Sequence, residues 1–164
     1  MKIEMTIDRI KSSFIFLVLL LIVSSCDPNQ VFEKNIEFSD LRWHKDSIVT
    51  IEVDIQDTLS AHNIYLNVRN TSRYEKQNLF LFINTTSPSG TVMRDTFECY
   101  LADSRGKWTG SGWGDVYDNQ FEYIKNVRFP VSGVYKFEYV QGMRIDELKH
   151  ISDIGLRIEK VEFR

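Results

Sequence analysis

Apolar and polar residues alternate with a period of two through most of the chain after Val31. The clearest case is residues 48–55 (IVTIEVDI), where Val49, Ile51, Val53 and Ile55 alternate with polar residues. Residues 64–69 (IYLNVR) and 134–140 (VYKFEYV) repeat the pattern. A period of two places successive side chains on opposite faces of a strand, so these segments are predicted to be half-buried β-strands.

Turn signals separate the predicted strands. Pro88-Ser89-Gly90 follows residues 79–83 (LFLFI), which are apolar on both faces and predict a central strand covered on both sides. A second turn is predicted at Asp103-Ser104-Arg105-Gly106. Proline presets φ in the first turn, and glycine accepts a positive φ in both turns. Residues 144–150 (RIDELKH) are the one short helical candidate.

Seven or eight short strands separated by turns indicate an all-β fold. The architecture expected for residues 31–164 is an antiparallel β-sandwich of the jelly-roll or immunoglobulin-like kind. No internal repeat or low-complexity segment is seen in the sequence.

The amino terminus has a different pattern. Ten consecutive apolar residues, 14–23 (FIFLVLLLIV), follow Lys2, Arg9 and Lys11. This run has the length of a signal-peptide core and is shorter than the ~20 apolar residues that a membrane-spanning helix needs. Residues 1–25 are therefore predicted to be a cleaved, helical signal peptide.

The end of this leader resembles a bacterial lipobox. Val23-Ser24-Ser25 is followed by Cys26, so the sequence predicts cleavage before Cys26 and acylation of its thiol. The alternative is an ordinary secretory leader with a chance cysteine at its end. In the lipoprotein interpretation, residues 26–30 are the lipidated cysteine and a short tether, and the bilayer is a binding partner through the acyl chains.

Charge excludes one class of partner. The leader holds three of the 20 basic and two of the 23 acidic residues, so the remaining 17 basic and 21 acidic residues give a net charge of −4. This weak acidity is not the basic footprint of a nucleic-acid-binding protein. The other cysteine, Cys99, has no intramolecular partner once Cys26 is lipidated, and it is expected to be a buried structural thiol.

The chain shows no catalytic or metal-binding motif. His44, His62 and His150 are far apart in the sequence, match no metal-ligand spacing, and are interpreted as surface or loop residues. No nucleophile elbow or phosphate loop occurs. We therefore expect a protein that is not an enzyme and holds neither cofactor nor metal.

An aromatic, glycine-rich stretch is the candidate binding site. Trp108 and Trp113 lie in a segment with three glycines in seven residues, and Tyr117 follows. Exposed aromatic rings on sandwich loops stack on sugars or anchor a partner protein. The alternative is that both tryptophans close one end of the core, because tryptophan is usually well buried.

The chain resembles the GldH-type gliding-motility lipoproteins of gliding gram-negative bacteria. The residues that carry the resemblance are spread over most of the chain, and their order and spacing are more specific than any one of them. They are residues 26–29 (CDPN), 64–70 (IYLNVRN), 78–82 (NLFLF), 102–114 (ADSRGKWTGSGWG), 127–133 (VRFPVSG), 141–144 (QGMR) and 153–160 (DIGLRIEK).

The resemblance implies an envelope lipoprotein that is required for gliding and is linked to the type IX secretion of adhesins. Its implied role is that of a non-catalytic accessory component that contacts other proteins of that machinery. In some gram-negative groups, an acidic pair often follows the lipidated cysteine of lipoproteins that are displayed at the cell surface. No such pair follows Cys26 directly, so we expect an outer-membrane protein that faces the periplasm. The alternative function is a glycan-binding module of the cell envelope that uses Trp108 and Trp113.

Overall fold

A computed structural model describes residues 27–162, so the predicted leader and Cys26 lie outside the described residues. This part of the chain is all-β, as the alternation predicts. Its strands are β1 (Gln30–Glu37), β2 (Arg42–His44), β3 (Val49–Ile55), β4 (His62–Thr71), β5 (Asn78–Thr86), β6 (Val92–Tyr100), β7 (Ser111–Trp113), β8 (Val116–Val127), β9 (Gly133–Gln141), β10 (Glu147–Lys149) and β11 (Ile151–Lys160).

The strands form two main antiparallel sheets and a small ribbon. The five-stranded sheet has the order β1-β11-β4-β8-β7, and the four-stranded sheet has the order β3-β9-β5-β6. Strands β10 and β2 pair only with each other. The two main sheets pack as a sandwich, which confirms the predicted fold class. The described residues form more strands than the seven or eight that the sequence predicts. The additional strands are three residues long, and three residues are too few to show an alternating pattern.

The inward-facing residues are the ones that the alternation predicts. Val49, Ile51, Val53 and Ile55 of β3 are buried, while the residues between them are exposed. Strand β9 likewise buries one face. The core between the sheets is therefore built from every second residue of the long strands, as burial of apolar surface requires.

Three local predictions were wrong. Strand β5 is central but buries one face only, and Phe82 on its other face is 48% exposed. Residues 144–150 are not helical, because β10 pairs with β2 and places Leu148 opposite Trp43. His62 is neither a surface nor a loop residue. It lies in β4, is 1% exposed, and packs on the Phe129 ring with centroids 5.4 Å apart.

The largest fully buried side chain is Trp43, in the three-residue strand β2. Its ring stacks on Phe38 with centroids 5.2 Å apart. Its Nε1 donates a hydrogen bond of 2.8 Å to the carbonyl oxygen of Ser47, so the one polar atom of the buried indole is satisfied. The core tryptophan is therefore Trp43, which the sequence did not single out.

The sandwich has two distinct ends. The start of β1, the end of β11, the start of β4 and the end of β8 meet at one end, as their registers show. We call this the anchor end, because Asp27 enters the fold there. The β7–β8 hairpin pairs with the last residues of β4, so it lies at the opposite end, here called the hairpin end. Ten residues of β4 separate the two ends by about 30 Å.

No helix among residues 27–162 is long and apolar enough to cross a membrane.

Candidate functional site: an aromatic hairpin and a polar sheet face

The two candidate tryptophans have different environments. Trp113 is 95% exposed at the tip of the β7–β8 hairpin. Trp108 is half-buried, packs against the core, and lies with its ring centroid 5.6 Å from that of Tyr117. The structure thus separates the two residues that the sequence grouped together. Trp108 and Tyr117 close the hairpin end, whereas Trp113 projects into solvent.

Strand register explains this separation. Gly112 of β7 lies opposite Tyr117, and Trp113 lies opposite Val116. Opposed residues share a face and successive residues alternate, so Trp113 and Tyr117 lie on opposite faces of the sheet. Gly112 has no room for a side chain, since an added Cβ would lie 2.2 Å from the carbonyl oxygen of Val116.

Buried polar contacts hold the hairpin in place. Asn119 of β8 is 6% exposed, and its Nδ2 donates to the Val68 carbonyl oxygen (3.1 Å) and to Asn70 Oδ1 (2.9 Å). Thr109 Oγ1 donates to the Leu101 carbonyl oxygen at 2.9 Å and lies 3.3 Å from Asn119 Oδ1. The backbone N–H of Ser72 donates to the Asp115 carbonyl oxygen at 2.7 Å. Trp113 is therefore displayed by a supported hairpin, and sequence reasoning missed the two buried asparagines that support it.

The outer face of the five-stranded sheet is a second candidate surface. Asn35, Gly155, Asn67 and Gln120 form one row across β1, β11, β4 and β8. Asn67 Nδ2 donates to Asn35 Oδ1 at 3.2 Å, and Gln120 Nε2 donates to Asn67 Oδ1 at 3.2 Å. This amide row lines a cavity of about 570 Å³.

The cavity extends from the amide row to the hairpin. Arg69, Asp118 and Ser111 line it together with the amides. Asp118 lies opposite Ser111 of β7, and Trp113 shares this outer face. The most exposed aromatic ring in residues 27–162 and the polar cavity therefore form one continuous surface, which we call the polar face.

An arginine between two carboxylates forms the charged part of the polar face. Arg69 pairs with the exposed Asp118 and, through Nη1, with Asp153 Oδ2 at 3.2 Å. The Asp153 side chain is only 2% exposed, and its Oδ2 has no well-aligned hydrogen bond. Burial raises the pKa of the Asp153 carboxyl, although Arg69 acts in the opposite direction.

The raised pKa of Asp153 predicts a pH dependence of stability. The ordinary pKa of this carboxyl is 3.8, so above about pH 4 the folded state holds a proton that the unfolded state has lost. The free energy of unfolding should then decrease as the pH rises from about 4 through the raised pKa. Asp153→Asn should remove this decrease, as measured by urea unfolding between pH 3.5 and 7.

The comparison for this prediction is Asp118→Asn, which removes an exposed carboxylate from the same arginine. The Asp118 charge contributes to the raised pKa of Asp153, so this variant should make the decrease smaller without removing it. Equal slopes for wild type and Asp153→Asn would contradict the assignment.

Arg157 holds the start of the described chain against the sheet. Its side chain is 14% exposed and pairs with Asp27, with Glu33 (2.6 Å) and with Glu159 (2.6 Å). Strand β1 begins at Gln30, so three of the described residues, 27–29, precede the first strand. Cys26, the predicted lipidation site, is bonded to Asp27 and itself lies outside the described residues.

Cys99 is buried in the core with 0% exposure, as expected. Burial raises the pKa of its thiol, which keeps it protonated and unreactive at neutral pH. Within residues 27–162, no group of three or more His, Cys, Asp and Glu side chains is arranged to hold a metal ion.

Comparison with known proteins assigns the family. The profile described as GldH lipoprotein matches residues 30–158, which is most of the chain. The chain belongs to the GldH lipoprotein family. This confirms the resemblance seen in the sequence, because the match covers the strands, the hairpin and the polar face together.

Two relatives of this GldH-family chain match over nearly their whole length. It is 39% identical over 157 residues to the "Gliding motility lipoprotein GldH homolog" of Christiangramia forsetii, covering 91% of this chain and 95% of the relative. It is 33% identical over 159 residues to the "Gliding motility lipoprotein GldH" of Flavobacterium johnsoniae, covering 93% of this chain and 98% of the relative.

Among solved structures, proteins of infectious bursal disease virus match at 14–15% identity. The TM-scores are 0.34 for the Gx strain and 0.37 for the VP2 subviral particle. Each match covers 82% of this chain, which spans about a third of the viral chains (33% and 34%).

Proposed function

We propose that this protein is a lipoprotein of the gliding-motility apparatus, anchored to a membrane of the cell envelope through acylated Cys26. The supporting observation is the 39% and 33% identity to two proteins named gliding motility lipoproteins, over 91% and 93% of the chain. The lipobox-like Val23-Ser24-Ser25-Cys26 supplies a lipidation site in the right place. Its role in this proposal is accessory and non-catalytic, and it acts by protein contact in support of type IX secretion of adhesins.

Deleting the gene tests this function. The deletion strain should lose spreading on agar and secretion of surface adhesins, and a plasmid copy should restore both. Normal spreading and normal secretion in the deletion strain would contradict the proposal. Loss of spreading with normal secretion would retain the gliding role and remove the link to type IX secretion.

The membrane and its side are also part of the proposal. We place the protein in the outer membrane with its domain in the periplasm, since no acidic pair follows Cys26 directly. Density-gradient separation of envelope membranes and protease treatment of whole cells test this. Digestion of the domain in intact cells would contradict the periplasmic placement.

We propose Trp113 as the centre of the protein-binding surface. It is 95% exposed, lies on a supported hairpin, and is at the end of the sandwich opposite Asp27. A rigid, exposed tryptophan is the type of residue that dominates binding energy at protein interfaces. The half-buried Trp108 and Tyr117 then act by supporting the hairpin.

Trp113→Ala should abolish spreading and co-purification of cross-linked envelope partners while changing the free energy of unfolding by no more than about 0.5 kcal/mol. Trp108→Ala, which removes a ring packed against the core, should lower that free energy by about 1–3 kcal/mol. Chemical unfolding of both variants, with immunoblots of protein level, separates binding from stability. A large loss of stability in Trp113→Ala would contradict its assignment as a binding residue.

A second candidate function is glycan binding on the polar face. The observation that favours it is the continuity between the amide row, Arg69 and the exposed Trp113. Planar amides and guanidinium groups hydrogen-bond sugar hydroxyls, and an indole stacks on a sugar ring. Titration of residues 27–164 with cell-wall and plant polysaccharides tests it by tryptophan fluorescence, with Trp113→Ala as the control. An unchanged signal with every glycan would remove this candidate.

A further inference from the structure

We propose that the anchor end of the sandwich rests on the bilayer, with Leu59 and Val131 inserted into the boundary between head groups and acyl chains. The inference deepens the proposed function and rests on lipidation of Cys26. It specifies which end of the domain contacts lipid, which residues do so, and which end remains free.

The first evidence is how the chain enters the fold. Arg157, at the end of β11, pairs with Asp27, and the N–H of Gln30 donates to the Asp27 carbonyl oxygen at 3.3 Å. The N–H of Lys160 donates to the Asn29 carbonyl oxygen at 2.8 Å. The residue next to the lipidated cysteine is thus fixed on the domain, and consecutive Cα atoms are about 3.8 Å apart. A lipid attached at Cys26 therefore leaves the fold at the anchor end without a flexible spacer.

Three connections lie at the same end of the sandwich as this entry point: residues 56–61, 87–91 and 128–132. Residues 56–61 are tied to β11, because Lys160 Nζ pairs with Asp57 Oδ2 at 2.9 Å and the N–H of Val161 donates to the Ala61 carbonyl oxygen at 2.8 Å. The connection 56–61 and the tether therefore both lie against the end of β11.

Two apolar side chains project from these connections. Leu59 is 84% exposed, and its N–H donates to Asp57 Oδ1 at 3.0 Å, which ties the backbone of the loop to Asp57. Val131 is 40% exposed in the β8–β9 connection, and Val134, the second residue of β9, is 50% exposed. Transfer of an exposed apolar side chain from water into the head-group boundary lowers the free energy of the system. The apolar faces of interfacial helices are buried about 5–10 Å deep in this region. The lipid anchor holds these residues at the bilayer, so their insertion is an intramolecular step that does not bear the cost of bringing the domain to the membrane.

This orientation has a consequence for the binding surface. Trp113 lies at the hairpin end, about 30 Å along the strands from the anchor end. With the anchor end on the bilayer, Trp113 points away from the membrane and is accessible to another protein.

Spin labelling tests the proposal on the full chain expressed with its leader. Single cysteines are introduced by Leu59→Cys and Val131→Cys, with Trp113→Cys as the control at an exposed position on the opposite end. Cys99 is buried and stays unlabelled. The acylated proteins are reconstituted into vesicles of phosphatidylethanolamine and phosphatidylglycerol. Collision of each nitroxide with oxygen, which concentrates in the bilayer, is compared with collision with a water-soluble nickel complex.

The expected result is a several-fold rise in the oxygen-to-nickel ratio at positions 59 and 131, relative to the same labels on the unacylated Cys26→Ser chain in solution. The ratio at position 113 should not change. Aqueous values at positions 59 and 131 in protein that floats with the vesicles would overturn the inference and leave lipid anchoring intact. A rise at position 113 would place the opposite end on the bilayer. Failure of the wild-type chain to float would overturn both the anchoring and this inference.

Discussion

Cys26→Ala is expected to release the protein from the membrane completely and to abolish gliding. Each buried CH₂ of an acyl chain contributes about 0.8 kcal/mol to membrane binding, and two or more chains give stable anchoring. Without the thiol no acyl chain is attached. Membrane fractionation, labelling with a clickable fatty acid and the intact mass of the purified protein measure the effect.

Cys99→Ala is the matched control for this variant. It removes the other cysteine, which is buried in the core, and should leave both acyl labelling and membrane association unchanged. Acyl labelling that persists in Cys26→Ala, or that disappears in Cys99→Ala, would contradict the assignment of the lipid to Cys26. If labelling is lost, the intact mass shows that residues 1–25 have been removed, and the protein still remains membrane-bound, the surface around Leu59 and Val131 holds the domain by itself.

Trp43→Ala is expected to lower the free energy of unfolding by about 3–5 kcal/mol. The substitution leaves a cavity beside Phe38 and Leu148 and removes the hydrogen bond to the Ser47 carbonyl oxygen. Because domains of this size are stable by only about 5–15 kcal/mol, the variant should be largely unfolded at moderate denaturant concentration. Urea unfolding monitored by circular dichroism measures the change without depending on tryptophan fluorescence.

Trp43→Phe and Trp113→Ala are the comparisons for this prediction. The phenylalanine variant keeps most of the buried ring and should lose less stability than Trp43→Ala. Trp113→Ala should be close to wild type, because its ring is 95% exposed. Equal losses in Trp43→Ala and Trp113→Ala would contradict the burial that separates them.

The long strands were predictable because alternation is a local property. A strand that buries one face needs an apolar residue at every second position, so β3 and β9 could be identified without knowing their partners. The hairpins at Gly90 and Gly106 were predictable for a similar reason. Both glycines have φ near +80°, which other L-residues rarely adopt.

The three-residue strands were not predictable. Strand β10 lies in a segment that predicted a helix, and it is a strand because residues 42–44, about 100 positions earlier, pair with it. The burial of His62 has the same origin, since Phe129 packs on it from a distant connection. Pairing between distant segments leaves no local period in the sequence.

The candidate site was predicted in part. The sequence named Trp108, Trp113 and Tyr117 but could not decide which rings are exposed, because that depends on the register between β7 and β8. The polar face was missed. Asn35, Asn67, Gln120 and Arg69 come from three strands, and each looks like an ordinary solvent-facing residue until the register places them together.

The fold class and the membership of the GldH lipoprotein family could be recognised from the sequence alone, which also predicts a leader over residues 1–25. These depend on local period, on a contiguous apolar run and on residue identity along the chain. Only the tertiary structure decided that Trp43 is the core tryptophan, that Trp113 is exposed, and that Asp27 and Trp113 lie at opposite ends of the sandwich. The physical reason is that burial and orientation are set by which distant strands pack together, and the order of residues along one strand does not contain that information.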